Sequence, residues 1–219
     1  YCLSHLARRL PGTIWYVASR GYLYKQSGES LRLITFASSV EVFITLVSGS
    51  LTSLLFAGYS LSKQTAFPLW GWLLLSAAGL LLLHPRLLHY LMRRFSLAPI
   101  SSLHYGHLLI WVGLYSFIWI IGGTVLYLMS LLVTPVTLAA LPYFIGSWSL
   151  VGTLSFIMLF LPSNLGFTEV GLSLLLATII PSSLAVIVAV ITRIFLLLCE
   201  IVGIPILIFL FRLRQKGWQ

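Results

Sequence analysis

Five ionisable side chains lie inside stretches that are otherwise almost all hydrocarbon: Arg20, Glu41, Glu169, Arg193 and Glu200. A lone charge at the centre of a membrane helix costs about 2.5–3.5 kcal/mol on insertion scales. Five unpaired charges would cost on the order of 10 kcal/mol or more, comparable to the stability of a whole domain. They are therefore expected to face one another or a wet cavity, and two cations against three anions allow near-neutral pairing. Packing does not require full charges, so Glu41, Glu169 and Arg193 read as functional. Arg20 and Glu200 divide evenly between that role and a place near enough to an interface to reach water.

Other chemistry is thinly represented. His104 and His107 have the H-x-x-H spacing of two metal ligands on one helical face. They stand at a loop–membrane boundary without a neighbouring carboxylate or thiol, so an interfacial role is the reading, as it is for His84 and His89. No metal site and no cofactor is expected. The serines lack a His/Asp arrangement for nucleophilic catalysis, and no Gly-rich phosphate loop or CxxC pair is present. The chain is accordingly not read as an enzyme. Cys2 and Cys199 are far apart and read as free thiols.

The elements that position these charges must be membrane helices. Hydrophobic residues make up 59% of the 219 positions, charged residues only 8%, and mean hydropathy is +1.04. A soluble domain could not wet its surface with so little charge. The net charge of +9 sits mostly outside the apolar runs, which suits anionic headgroups and the positive-inside rule. Nucleic acid is excluded as a partner, because no soluble face interleaves basic and aromatic residues. The chain begins at Tyr1 and shows no secretory signal pattern, so it is read as a fragment of a longer protein.

Five apolar runs approach the length needed to span a bilayer: 31–57, 68–84, 107–133, 143–161 and 182–211, the last bending at Pro205. Two shorter stretches, 11–28 and 162–180, open with Pro and small polar residues and each contains a charge. They read as short, broken or re-entrant helices, tolerated only where open backbone is buried or lines a cavity. The loop 85–107, with Arg86, Arg93 and Arg94, and the tail, with Arg212, Arg214 and Lys216, belong on the cytoplasmic side. An even number of crossings must then separate them, which makes 163–180 the fourth. Trp70, Trp72, Tyr105, Trp111, Tyr143 and Trp148 are expected in an aromatic belt.

The two awkward stretches align. Pro11 to Ser30 and Pro162 to Pro181 are both 19 positions, and each short segment leads into a long helix with a central charge, Glu41 or Arg193. The charges are exchanged, Arg20 then Glu41 against Glu169 then Arg193. This is the pattern of an inverted repeat, with units at about 8–57 and 159–211 of a single transmembrane domain covering 1–219. Transporters built this way place a midplane site at the repeat interface. Within the first long helix Ser38, Glu41, Thr45, Ser48 and Thr52 form one polar stripe, whose hydroxyls read as packing. On the last helix Arg193 and Glu200 share a face, continued by Ala189 and Gly203.

The segments "RLPGTIWYVASR" and "LPSNLGFTEVGLS", each followed by a charged long helix, resemble the transmembrane region of lysylphosphatidylglycerol synthases. This is the flippase domain of the bacterial multiple peptide resistance factor and its stand-alone relatives. The likeness runs in order along nearly the whole chain and is most specific at Pro11, Gly12, Trp15 and Arg20 and at Gly166, Phe167, Thr168 and Glu169. Ser163 and Asn164 depart from it, standing where the family usually has glycines. The resemblance implies a multi-pass inner-membrane protein that, in the best-known members, moves an aminoacylated phospholipid, while stand-alone relatives are mostly of undefined function and some accompany polyprenyl-linked glycosylation.

On that reading Arg20 and Arg193 engage the lipid phosphate, Glu41 and Glu169 attract a headgroup amine or pair with the arginines, and Glu200 belongs to the same interior. Asn164 opens the backbone and Gly166 permits close approach of a neighbour or headgroup. The partners are the bilayer and a phospholipid or lipid-linked substrate, with a second copy or a synthase as protein partner. Two other classes stand beside it: a secondary transporter of a soluble solute or ion, and a non-transporting accessory of lipid or glycan synthesis.

Overall fold

The computed structural model describes residues 31–64, 69–94, 104–157 and 166–216. Every regular element among them is helical: α1 Leu31–Gln64, α2 Leu69–Leu82, α3 Pro85–Arg94, α4 Tyr105–Leu131, α5 Leu141–Ile157, α6 Phe167–Leu176 and α7 Ser182–Lys216. A single 3-10 turn, Leu138–Ala140, leads into α5. Four spans are long and apolar enough to cross a membrane: Leu33–Gly58 of α1, Tyr105–Leu131 of α4, Leu138–Ser155 running into α5, and Ser182–Gly203 of α7. The fold is the expected all-α membrane helix bundle. Of the two short segments, 162–180 contains the short helix α6, whereas 11–28 lies outside the described residues.

Two expectations change in detail. The run at 68–84 yields only the 14-residue α2, about 21 Å long and short of a hydrocarbon core near 30 Å. The stretch 85–107, read as a loop, begins with the helix α3. The break between α2 and α3 has a local cause. Pro85 takes the first helical position, where a missing N–H is harmless. His84 precedes it, and its Nδ1 accepts the backbone N–H of Arg86 at 3.2 Å, an N-cap made by a ring nitrogen. At the other end of the chain α7 runs through Pro205 to Lys216, past the end of the expected run at 211.

Small residues set the packing of α1, α4 and α5. Gly146 of α5 lies against Ala57 of α1, and Gly49 of α1 against Thr153 of α5, so the two helices are antiparallel. Gly122 and Gly123 of α4 receive Trp148 and Ile145 of α5, and Gly152 of α5 receives Trp119 of α4. Without hydrocarbon–water contrast to drive association, such close backbone approach is what holds membrane helices together. The polar stripe of α1 faces this seam: Ser38, Thr45, Ser48 and Thr52 are buried. Thr45, Ser48 and Thr52 each donate to a carbonyl three or four residues back, as packing hydroxyls do.

The remaining helices follow as a serial hairpin. Ser155 of α5 meets Thr168 of α6, and Tyr143 near the start of α5 meets Leu175 and Thr178 beyond the middle of α6, so α6 doubles back along α5. A second core of Leu172, Leu176, Ile180, Ala185, Val188 and Ala189 joins α6 to α7. Direction therefore alternates through α4, α5, α6 and α7, and the tail end of α7 lies at the same end of the bundle as the start of α4. That is the even parity expected between the basic 85–107 stretch and the tail. Tyr143 is a correction to the aromatic belt: it is buried, bonded to the α6 backbone, and serves packing.

Candidate functional site

Helix α6 starts abruptly, at a cap residue that is itself exposed. Its N-cap, Gly166, has φ +96°, a conformation an L side chain rarely adopts. A Cβ there would meet nothing within 4 Å among the described residues, so in this structure it is the backbone conformation that asks for glycine. The cap is completed by Glu169 three residues on. Its Oε2 accepts the Gly166 N–H at 2.9 Å, and the Gly166 carbonyl accepts from Val170 N–H at 2.8 Å. A carboxylate at this position also meets the positive end of the helix dipole.

The other carboxylate oxygen of Glu169 faces Arg193. Arg193 Nε lies 3.1 Å from Glu169 Oε1, and each side chain retains 22% of its surface exposed. The Nε atom itself is buried and its N–H has no acceptor in line, so the contact is one of charge rather than an aligned hydrogen bond. Beside the pair the hydroxyls of Ser155 and Thr168 are 3.1 Å apart. Of the partners open to Glu169, an arginine or a headgroup amine, the structure pairs it with Arg193, joining α6 to α7.

Its depth can be read from the neighbours. Arg193 falls at the middle of the apolar span Ser182–Gly203, Trp119 at the middle of Tyr105–Leu131, and Thr45 at the middle of Leu33–Gly58. Trp119 Nε1 donates to Thr45 O at 3.3 Å and to Ser48 Oγ at 3.2 Å. Trp119 packs on Gly49 and Gly152, Gly49 on Thr153, and two residues further Ser155 meets Thr168. One polar layer therefore joins the middles of the α1, α4 and α7 spans to the last turns of α5, where Ser155 closes the span Leu138–Ser155, and α6 begins in it. A helix of ten residues, about 15 Å, accounts for half a bilayer.

Glu41 occupies a different place. It lies on α1, where its Oε1 accepts the Tyr115 hydroxyl of α4 at 3.0 Å. Glu41 is about two helical turns nearer the start of α1 than Gly49, roughly 12 Å along the axis. Glu200 is half-buried on α7, seven residues beyond Arg193 and about 10 Å along the helix. Arg20 and Asn164 lie outside the described residues. The mid-span layer thus holds Glu169, Arg193 and Gly166, with Glu41 and Glu200 displaced towards the end where α1 and α4 begin.

Tyr115, Trp119, Ser155 and Thr168 were not singled out as site residues from the sequence. Trp119 could have been found, being an indole at the centre of an apolar run, where its N–H demands an acceptor. His104 and His107 pack ring edge to face with centroids 5.5 Å apart at the exposed start of α4. Among the described residues no group of three His, Cys, Asp or Glu could hold a metal ion. Comparison with protein-family models, with curated proteins and with solved structures finds no significant match to this chain.

Proposed function

We propose that the protein is a multi-pass inner-membrane lipid translocase that passes a charged phospholipid or lipid-linked headgroup across the bilayer through the mid-span layer. The observation that carries the reading is the partly open Glu169–Arg193 pair at the start of a half-length helix. Intramembrane ion pairs are costly, and one left partly exposed at the opening of a discontinuous helix suits a site that exchanges partners with a ligand. A headgroup with both phosphate and amine would replace each half of the pair, with the acyl tails remaining in lipid. The resemblance to lysylphosphatidylglycerol synthase transmembrane regions supports an aminoacylated headgroup, and the inverted-repeat reading supports a site between two related halves.

The test is a leaflet assay in vesicles reconstituted with the purified chain and a labelled aminoacylated phosphatidylglycerol. Loss of one charge-assisted contact worth about 1.5–3 kcal/mol should slow movement roughly tenfold to a hundredfold in Glu169→Gln. Unchanged movement in a folded variant removes the site. Solute uptake tied to an ion gradient, with no lipid movement, would assign the chain to the secondary transporters instead. Retention of cellular function when Glu41 and Arg193 are both made apolar would make it an accessory protein.

A further inference from the structure

Helix α3 takes no part in the mid-span layer, and its two sides differ sharply. Leu88 and Met92 are 5% and 0% exposed, and Leu88 packs with Ile44, Val47, Leu108 and Val112. The opposite side presents Arg86, Tyr90, Arg93 and Arg94, all exposed. Arg86 and Arg93 are seven residues apart and share a face, with Tyr90 between them. No carboxylate pairs with any of the three arginines among the described residues, and α3 itself has no acidic residue.

The orientation of this face is fixed. The buried leucine and methionine hold one side inward, and the His84 ring caps the start of the helix. His84 also packs against Tyr105, with ring centroids 5.5 Å apart, and Tyr105 donates to the Leu80 carbonyl at 3.1 Å. These contacts place α3 beside the first turn of α4, at the end of the bundle towards which the tail of α7 runs.

We propose that the Arg86–Tyr90–Arg93–Arg94 face of α3 is a binding site for the phosphate groups of anionic phospholipids in the adjoining leaflet. The apolar side of α3 is taken up by the protein core, so its basic side is left to face the headgroups at that end of the bundle. Guanidinium forks match phosphate oxygens geometrically, and an exposed tyrosine suits the same depth. The positive-inside rule makes this leaflet the cytoplasmic one, whose surface is anionic. The assignment is independent of the translocase reading, because it uses none of the mid-span residues.

The experiment is native mass spectrometry of the whole purified chain in neutral detergent, titrated in parallel with phosphatidylglycerol and phosphatidylcholine. Phosphatidylglycerol should be retained in preference. A cation near an anionic surface raises binding about fivefold, so Arg86→Gln, Arg93→Gln and Arg94→Gln together should lower that preference by roughly a hundredfold. The corresponding triple Lys variant, which keeps the charge, should retain most of it and shows that the helix is still folded. Gln replacements at Arg212, Arg214 and Lys216 should have a much smaller effect. The proposal is overturned if the α3 Gln variant keeps the preference, if the tail variant loses as much, or if millimolar inorganic phosphate displaces the lipid.

Discussion

Glu169 holds two partners with its two carboxylate oxygens, Arg193 Nε at 3.1 Å and the Gly166 N–H at 2.9 Å. One side chain thereby fixes the start of α6 and couples it to the middle of α7. Removing either charge alone strands the other in a partly buried setting, so Glu169→Gln or Arg193→Gln should each destabilise the protein by about 1.5–3 kcal/mol. Glu169→Leu combined with Arg193→Met removes both charges and should recover most of that loss. Thermal unfolding in detergent measures all of these, and a double variant as unstable as the sum of the singles would contradict the pairing. Because the double variant keeps stability but not charge, it also separates a site from a structural clamp.

The start of α6 depends on glycine for a different reason. Gly166 sits at φ +96° in open space, so Gly166→Ala should cost about 1–2 kcal/mol through the backbone alone. Asn tolerates positive φ better than Ala, and Gly166→Asn should cost less. The loss should be local, seen as faster hydrogen exchange at Val170, whose amide closes the first turn on Gly166. Equal exchange in the three proteins would show that the conformation is not a constraint.

Much of this was legible in the sequence because bilayer length and charge cost are strong constraints. The long helices α1, α4, α5 and α7, the short helix after Pro162 and the need of Glu169 for a cation follow from them, whereas its choice of Arg193 does not. What the sequence could not show was how closely the helices approach. Glycine 49, 122, 123, 146 and 152 carry no periodic signal against a background of Leu and Ile, yet they decide which faces of α1, α4 and α5 meet. The boundary at residues 84 and 85 was legible, but the helix α3 beyond it was not, because a histidine ring nitrogen serves as its N-cap, a role no composition rule assigns. Tyr143 was placed in the aromatic belt from its position near a helix end, whereas its hydroxyl reaches the Leu175 carbonyl at the end of α6, which Thr178 also bonds.

Those glycines differ in how far neighbours can yield. A Cβ on Gly123 would land on the backbone of Ile145, and one on Gly146 on Ala57, so neither can be relieved by a change of rotamer. Gly123→Ala and Gly146→Ala should each lower stability by about 1–3 kcal/mol by forcing the helices apart. Gly113 has nothing within 4 Å of its Cβ position, and Gly113→Ala should be neutral or mildly stabilising. Thermal melts of the three variants check the ranking, and a destabilised Gly113→Ala would place an unseen neighbour on that face of α4.

Two buried serines offer the sharpest contrast in polar packing. Ser48 Oγ donates to Thr45 O at 2.9 Å and accepts from Trp119 Nε1 at 3.2 Å, joining α1 to α4 in the mid-span layer. Ser147 is equally buried, at 0% exposure, but its hydroxyl has no partner among the described residues. Ser48→Ala removes one of the two acceptors of a buried indole and should cost about 1 kcal/mol. Ser147→Ala instead removes a desolvated hydroxyl whose burial costs about 1–3 kcal/mol, and should leave stability unchanged or raise it. Denaturation midpoints in one detergent give the comparison directly. A Ser147→Ala variant weaker than Ser48→Ala would mean that Ser147 bonds a group in the membrane-embedded state, and would move the polar layer towards the start of α5.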